Sequence, residues 1–254
     1  MLYKGKEFKI NRQPLGLGQR HFFEGGETLF DRVGLALCEL NYFPKKELFE
    51  SQAFARKALR LINRLEKGPL WTLLDVGGGH GLTSLFLMAY AKPHRVEASW
   101  VIDPLVPARG EELFQAFTSI VPKVKERVVR KHRYFAEWVE DLLQDEVLRE
   151  RKYIWLGCHA CGELSDAILE MALSRREPFV LMPCCPNRRL SRSWPKHIER
   201  VLPADVEPFG DVGVALDMMR LGRAQAAQYR VLYREIEREI TPHHRLLIGQ
   251  PMAR

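Results

Sequence analysis

Residues 73–81, LLDVGGGHG, mark the point where helical spacing in this chain gives way to alternating strand and helix. Leu73, Leu74 and Val76 with their neighbours read as a buried strand. The glycines that follow form a turn, and GLTSLFLMAYAK opens a helix from it. A strand–glycine–helix turn lets a ligand approach the backbone closely, because no Cβ stands in the way. Its spacing excludes two familiar users of such turns. A dinucleotide loop needs G-x-G-x-x-G, but the last slot is Leu82 counting from Gly77 and Ser84 counting from Gly79. A phosphate-binding loop ends in G-K-[ST], and no such pair follows. The remaining pattern is D-x-G-x-G-x-G, from Asp75 to Gly81.

Working outward, VEASWVIDP reads as strand, EELFQAFTSIV as helix, ERVVRKHRYF as strand and AEWVEDLLQDEVLRE as one helix. YIWLGCHACG and FVLMPCCP are two further strands, separated by the helix LSDAILEMALSRRE. This alternation predicts an α/β fold built on a doubly wound, mainly parallel sheet. Past residue 186, a helix near Val212–Gln228 is followed by YRVLYREIEREI and HHRLLIGQ, which fit a final antiparallel pair. Upstream, FDRVGLALCELNYF and KELFESQAFARKALRLINRLEKG carry helical spacing, the second closed by Gly68-Pro69. The expected organisation is a helical N-terminal extension over 1–70 packed on a main domain over 71–254.

The chain has 254 residues, 46% hydrophobic and 28% charged, ordinary values for a globular protein. No apolar run reaches the roughly 18–20 residues that a membrane span needs. MLYKGKEFKI lacks the apolar stretch of a secretory signal. A cytoplasmic protein is expected, with no membrane and no obligate protein partner. The net charge of +7 suits a polyanion. It concentrates at Lys4–Arg20, Lys123–Arg133 and Arg188–Arg200, segments that read equally as solvated basic surface.

Four of the five cysteines form two clusters, Cys158/Cys161 and Cys184/Cys185, each ending an apolar run. If those strands are parallel neighbours, both clusters emerge at the carboxyl edge of the sheet, where open α/β folds bind ligands. Adjacent Cys184 and Cys185 make a poor disulfide framework. A metal site could draw on four thiolates with His159 nearby, but adjacent cysteines rarely share one tetrahedral zinc without strain, so no metal is expected. C-x-x-C also resembles a redox motif. The plainest reading makes the thiols small apolar residues that shape a pocket wall.

The pattern from Asp75 to Gly81 resembles motif I of class I S-adenosylmethionine (SAM) methyltransferases. GCHACGELSDAILEMA followed by VLMPCCPNRRL is similar to one branch of them. That branch contains methyltransferase-like protein 25 and the tRNA 2′-O-methyltransferase with a CHHC zinc finger. Its members share H-x-C-G after the fourth strand of the sheet and C-C after the fifth. YFPKKELFE, residues 42–50, resembles their lysine-containing lead-in. The resemblance spans roughly Phe43–Leu190. It departs in lacking the CHHC finger and in following C-C with Pro186-Asn187.

The resemblance implies a seven-stranded class I (Rossmann-like) sheet under a helical N-terminal cap, with 71–254 as the methyltransferase domain and SAM as cofactor. Asp75, Gly77, Gly78, Gly79 and Gly81 would line the methionine moiety, and Asp103 in WVIDP would accept the ribose hydroxyls. Gly157 and Cys158 would complete the cofactor site. His159, Cys161 and Cys185 are the catalytic candidates. Lys45, Lys46, Pro183, Cys184, Arg188 and Arg189 would contact the substrate.

RNA (tRNA or rRNA) is the expected acceptor and partner, at ribose 2′-O or at a base carbon. A hydroxyl must lose its proton as it attacks, and histidine is the side chain that changes charge between pH 5 and 8, which makes His159 the candidate base. Lys45 or Lys46 could instead orient the acceptor. RNA 5-methylcytosine enzymes also place cysteines after strands four and five, where a thiolate adds to the pyrimidine; the D-A-P-C sequence of those enzymes is absent. The N/D-P-P-Y/F turn of amine methylases is replaced by Gly157–Gly162, which disfavours exocyclic-amine transfer. The alternatives are a protein methyltransferase and a SAM-binding module without catalysis.

Overall fold

The computed structural model describes all residues except 66, 67, 69, 106, 186–190, 193–210 and 254. Arg188 and Arg189, the Pro186-Asn187 pair and nearly all of the Arg188–Arg200 basic segment lie outside the described residues. The N-terminal part holds a small hairpin, β1 (Leu2–Tyr3) and β2 (Lys6–Glu7), then α1 (Arg20–Phe23), α2 (Leu29–Leu40) and α3 (Lys45–Ile62). The main part runs β3 (Trp71–Val76), α4 (Leu82–Tyr90), β4 (Val96–Ile102), α5 (Gly110–Ile120) and β5 (Val128–Lys131). It continues through α6 (Phe135–Gln144), α7 (Glu146–Glu150), β6 (Lys152–Cys161), α8 (Glu163–Arg175) and β7 (Phe179–Cys184). The chain closes with α9 (Val212–Ala226), β8 (Tyr229–Glu235) and β9 (Arg245–Pro251).

Seven strands form one sheet in the order β5-β4-β3-β6-β7-β9-β8. β5 through β7 are mutually parallel, whereas β9 runs antiparallel to both β7 and β8. The doubly wound sheet and its closing antiparallel pair are therefore as the sequence predicts. The chain leaves β3 towards β4 and β5, then returns to lay β6 on the other side of β3. This reversal opens a crevice at the carboxyl ends of β3 and β6, where such sheets bind ligands.

Both faces of the sheet are covered, which explains why its central strands are almost continuously apolar. Ile154, Leu156, Val180, Met182 and Ile248 pack with Phe49, Phe54 and Phe86 on one side. Their neighbours in sequence, Tyr153, Trp155, Phe179, Leu181 and Leu247, pack with Trp138, Ile168 and Leu169 on the other. The period of two sends successive side chains to opposite layers. α3 belongs to the first layer, so its apolar stripe (Phe54, Ala58, Leu61) is continuous with the core beneath β6.

Several boundaries differ from the sequence reading. The helix expected over AEWVEDLLQDEVLRE is two helices, because the Asp145 carboxylate accepts from the N–H groups of Val147 and Leu148 and restarts the helix as an N-cap. β5 stops at Lys131, where the Arg133 N–H turns back onto the Lys131 carbonyl. α3 ends at Ile62 rather than at Gly68. Among the described residues no helix is long and apolar enough to cross a membrane.

Candidate active site

The glycine turn forms the floor of the crevice. Gly77, Gly79 and Gly81 all have positive φ (69°, 50° and 75°), the left-handed region that glycine enters without penalty. The Gly77 N–H bonds the Ile102 carbonyl at 2.8 Å, which ties the turn to β4. A Cβ on Gly78 would come within 2.8 Å of both Asp75 and Val101, whereas Gly79 faces open space. Gly77, Gly78 and Gly79 line a cleft of about 540 Å³. Gly81 lies behind it as the first residue before α4.

The two carboxylates of the pattern act on the turn from different sides. Asp75 is fully buried beneath it; one oxygen accepts from Ser84 Oγ at 2.7 Å and the other has no protein partner. Burial raises its carboxyl to about 6, although the Ser84 bonds oppose the shift. Asp103, past the end of β4, accepts from the Gly79 N–H and from the Leu105 N–H, each at 2.9 Å. It thereby fixes the loop and keeps lone-pair capacity on both oxygens.

The opposite wall comes from the start of α3 and the ends of β6 and β7. Glu50 projects from α3 with its side chain 2% exposed. Its Oε2 lies 2.8 Å from His159 Nε2 and its Oε1 lies 2.8 Å from Lys46 Nζ. Neither contact has hydrogen-bond alignment, so Glu50 Oε1 and His159 Nε2 remain buried polar atoms without an oriented partner. Burial alone would raise the Glu50 carboxyl, but His159, Lys46 and Thr241 together hold it below the usual range. Glu47, three residues before Glu50 on α3, is pushed up by burial and by Glu50. His243, from the loop between β8 and β9, also lines the cleft; burial, then the charges of Lys46 and His159, push its imidazole down.

His159 sits at φ 64° and Cys185 at φ 48°. Non-glycine residues in this region are uncommon and concentrate where a site imposes them. His159 interrupts the β6–β7 register between Cys158 and Cys161 and turns its ring into the cleft.

The cysteines require a correction. The clusters read as unpaired thiols or as a C-x-x-C pair; instead Cys161 is joined to Cys184 by a disulfide across two adjacent strands. The interruption at His159 brings Cys161 opposite Cys184, with Cα atoms 5.0 Å apart, within the range that a disulfide spans. Cys158 is buried below, and burial raises its thiol well above the ordinary value. Cys185 is free and exposed. The sulfurs of Cys161, Cys184 and Cys185 lie within 4.8 Å of one another. With two of them bonded, only Cys185 could offer a thiolate to a metal.

Of the other expected site residues, Lys46 lines the cleft while Lys45 does not. Gly157 lies within the packing, where a Cβ would meet Ala160, Ile168 and Leu181. Pro183 is buried on the side of β7 away from Cys184. The sequence reading passed over Glu50, Glu47, His80 and His243. Glu50 left a signal: it is the acid at i+4 from Lys46 on the buried, apolar face of α3. His243 left none, because its loop is distant in sequence.

No protein-family model matches the chain, and no curated protein matches it. Solved structures do. A protein of Corynebacterium glutamicum aligns over 93% of this chain and 96% of its own, at 12% identity and TM-score 0.53. A candidate O-methyltransferase of Klebsiella pneumoniae aligns over 94% of this chain and 98% of its own, at 11% identity and TM-score 0.50. What they share with this chain is the fold, a mainly parallel seven-stranded Rossmann-like sheet flanked by helices.

Proposed function

We propose that this chain is a SAM-dependent methyltransferase that acts on RNA, with a hydroxyl oxygen, the ribose 2′-OH, as acceptor. One observation carries the reading: the open glycine turn faces the Glu50–His159 pair across a single cleft. Gly77, Gly78 and Gly79 would hold the methionine part of SAM against bare backbone, and Asp103 has lone pairs free for a ribose. Gly79 fits this role because nothing fills the space where its Cβ would stand. The sulfonium of SAM supplies an electrophilic methyl group.

The protein's own part is to bring the acceptor oxygen into line and to take its proton. Glu50 touches His159 at Nε2, which leaves Nδ1 as the nitrogen available to an acceptor. A buried carboxylate beside an imidazole stabilises the imidazolium formed on proton uptake. Lys46, paired with Glu50, places a positive charge in the same wall. The covalent route to a base carbon has less support. Cys161 and Cys184 are bonded to each other, and Cys158 is held as a thiol. The extension over 1–70 and the domain over 71–254 would work as one catalytic unit, because Lys46 and Glu50 come from the first and His159 from the second.

The test is methyl transfer from labelled SAM to total RNA and to a protein lysate, with SAM binding measured separately. Label in RNA nucleosides as 2′-O-methyl supports the proposal. Label only in protein makes the chain a protein methyltransferase. SAM bound without transfer leaves a binding module, and no SAM binding removes the whole reading.

A further inference from the structure

A second concavity, of about 390 Å³, lies between α3 and the edge strand β8. Lys57, Arg60 and Arg64 line one side and Arg230 and Arg234 the other, over an apolar floor that includes Leu232. No carboxylate lines it among the described residues. Surface helices ordinarily mix both signs of charge and gain stability from each opposite-charge i,i+4 pair. Past Glu50, α3 does not: residues 51–62 contain no Asp or Glu and carry Arg56, Lys57 and Arg60, with Arg64 just beyond the helix end.

Arginine on an exposed edge strand has an ordinary explanation, since charge there blocks edge-to-edge pairing. That accounts for Arg230 and Arg234 but not for the three cations facing them across the groove. Five like charges around one cavity repel one another. An anion in the groove removes that cost. Four of the five are arginines, whose planar fork matches phosphate oxygens in pairs. Among the described residues the groove has no aromatic lining residue on which a base could stack, so it suits a sugar–phosphate backbone better than bases.

We propose that this groove holds the phosphate backbone of the acceptor RNA away from the reacting nucleotide; this rests on the reading of the cleft as an RNA methyltransferase site. α3 connects the two places. Glu50 lines the cleft and Arg60 lines the groove, ~15 Å along the helix at 1.5 Å per residue. The helix thus sets a fixed distance between the methylated position and a flanking stretch of backbone.

The experiment measures binding of unfractionated tRNA by fluorescence anisotropy across a salt series, using the full chain. It compares wild type, Arg60→Gln/Arg64→Gln, and Lys92→Gln/Lys152→Gln, two exposed lysines outside the basic segments, as a control with the same charge change elsewhere on the surface. The groove variant is expected to bind about tenfold more weakly, with the slope of log K against log salt reduced by ~1–2. The control should stay near wild type, and SAM binding should be unchanged in both. Equal losses in the two variants, or none in the groove variant, overturn the groove while the cleft reading stands. If wild type binds tRNA no better than polyglutamate and methylates no RNA, the RNA reading itself falls and the groove with it.

Discussion

Two buried sets of acid and base side chains invite comparison. On the α8–α9 side of the sheet, Arg220 Nε reaches Asp166 Oδ1 at 2.9 Å and Arg220 Nη1 reaches Asp217 Oδ1 at 3.2 Å. Arg245 Nε meets the other oxygen of Asp217 at 2.7 Å, and Ser191 and Arg192 bond the other oxygen of Asp166. In the cleft, Lys46, Glu50 and His159 have the same chemistry at similar distances, yet Glu50 Oε1 and His159 Nε2 lack an aligned partner. The first set is satisfied by the protein itself and fastens α8, α9 and β9 together. The second faces a cavity, on a residue with positive φ. Charged groups that line a cavity, rather than closing on one another, can be shared with a group that enters it.

The largest effect that could break this comparison is on catalysis. Glu50→Gln and His159→Ala should each lower single-turnover methyl transfer by about 10²–10⁴-fold, the usual contribution of a positioned base and its support. His159→Ala should leave the melting temperature near that of wild type. Retained activity in both variants would remove the Glu50–His159 pair from the mechanism.

Asp166→Ala should behave oppositely. Leaving Arg220 without this partner should cost about 3–5 kcal/mol in urea unfolding, as broken buried pairs do. Transfer per folded molecule should be preserved. A stability near wild type would mean that the network is not what joins α8 to α9.

Asp75 sharpens the comparison through pH. Its carboxyl sits at about 6 in the folded chain against about 3.8 unfolded, so between those values the folded state holds the extra proton. Stability therefore falls as pH rises through that window, by about 3 kcal/mol in all. Asp75→Asn should flatten melting temperature against pH from 4 to 6, and curves parallel to wild type would contradict the shift. Glu50 has the opposite sign: its folded carboxyl lies low, so its contribution is present above pH ~4.5 and fades as pH falls further.

The smallest effects belong to the thiols. Cys161→Ala should lose about 2–3 kcal/mol of stability under oxidising conditions by opening the Cys161–Cys184 loop. Transfer should persist. Cys185→Ala should change neither quantity, and loss of activity in it alone would restore covalent catalysis.

The alternation around LLDVGGGHG was sufficient for the fold, because a sheet buried on both faces must be built from short apolar runs separated by helices. Asp75, the glycines and Asp103 were legible because they are local: a turn and a strand end are specified by neighbouring residues. The cysteine runs correctly placed two strands side by side, but their chemistry was not legible. Register alone decided that Cys161 faces Cys184 and that Cys158 lies below, and register depends on the distortion at His159. Glu50 was visible as an acid on an apolar face and His243 was not, since only the return of the β8–β9 loop brings it to the cleft. The sequence by itself determined the sheet, the loop and their order. The tertiary structure decided which charged groups meet and which of them face the cleft, because those pairings form between segments that no local pattern couples.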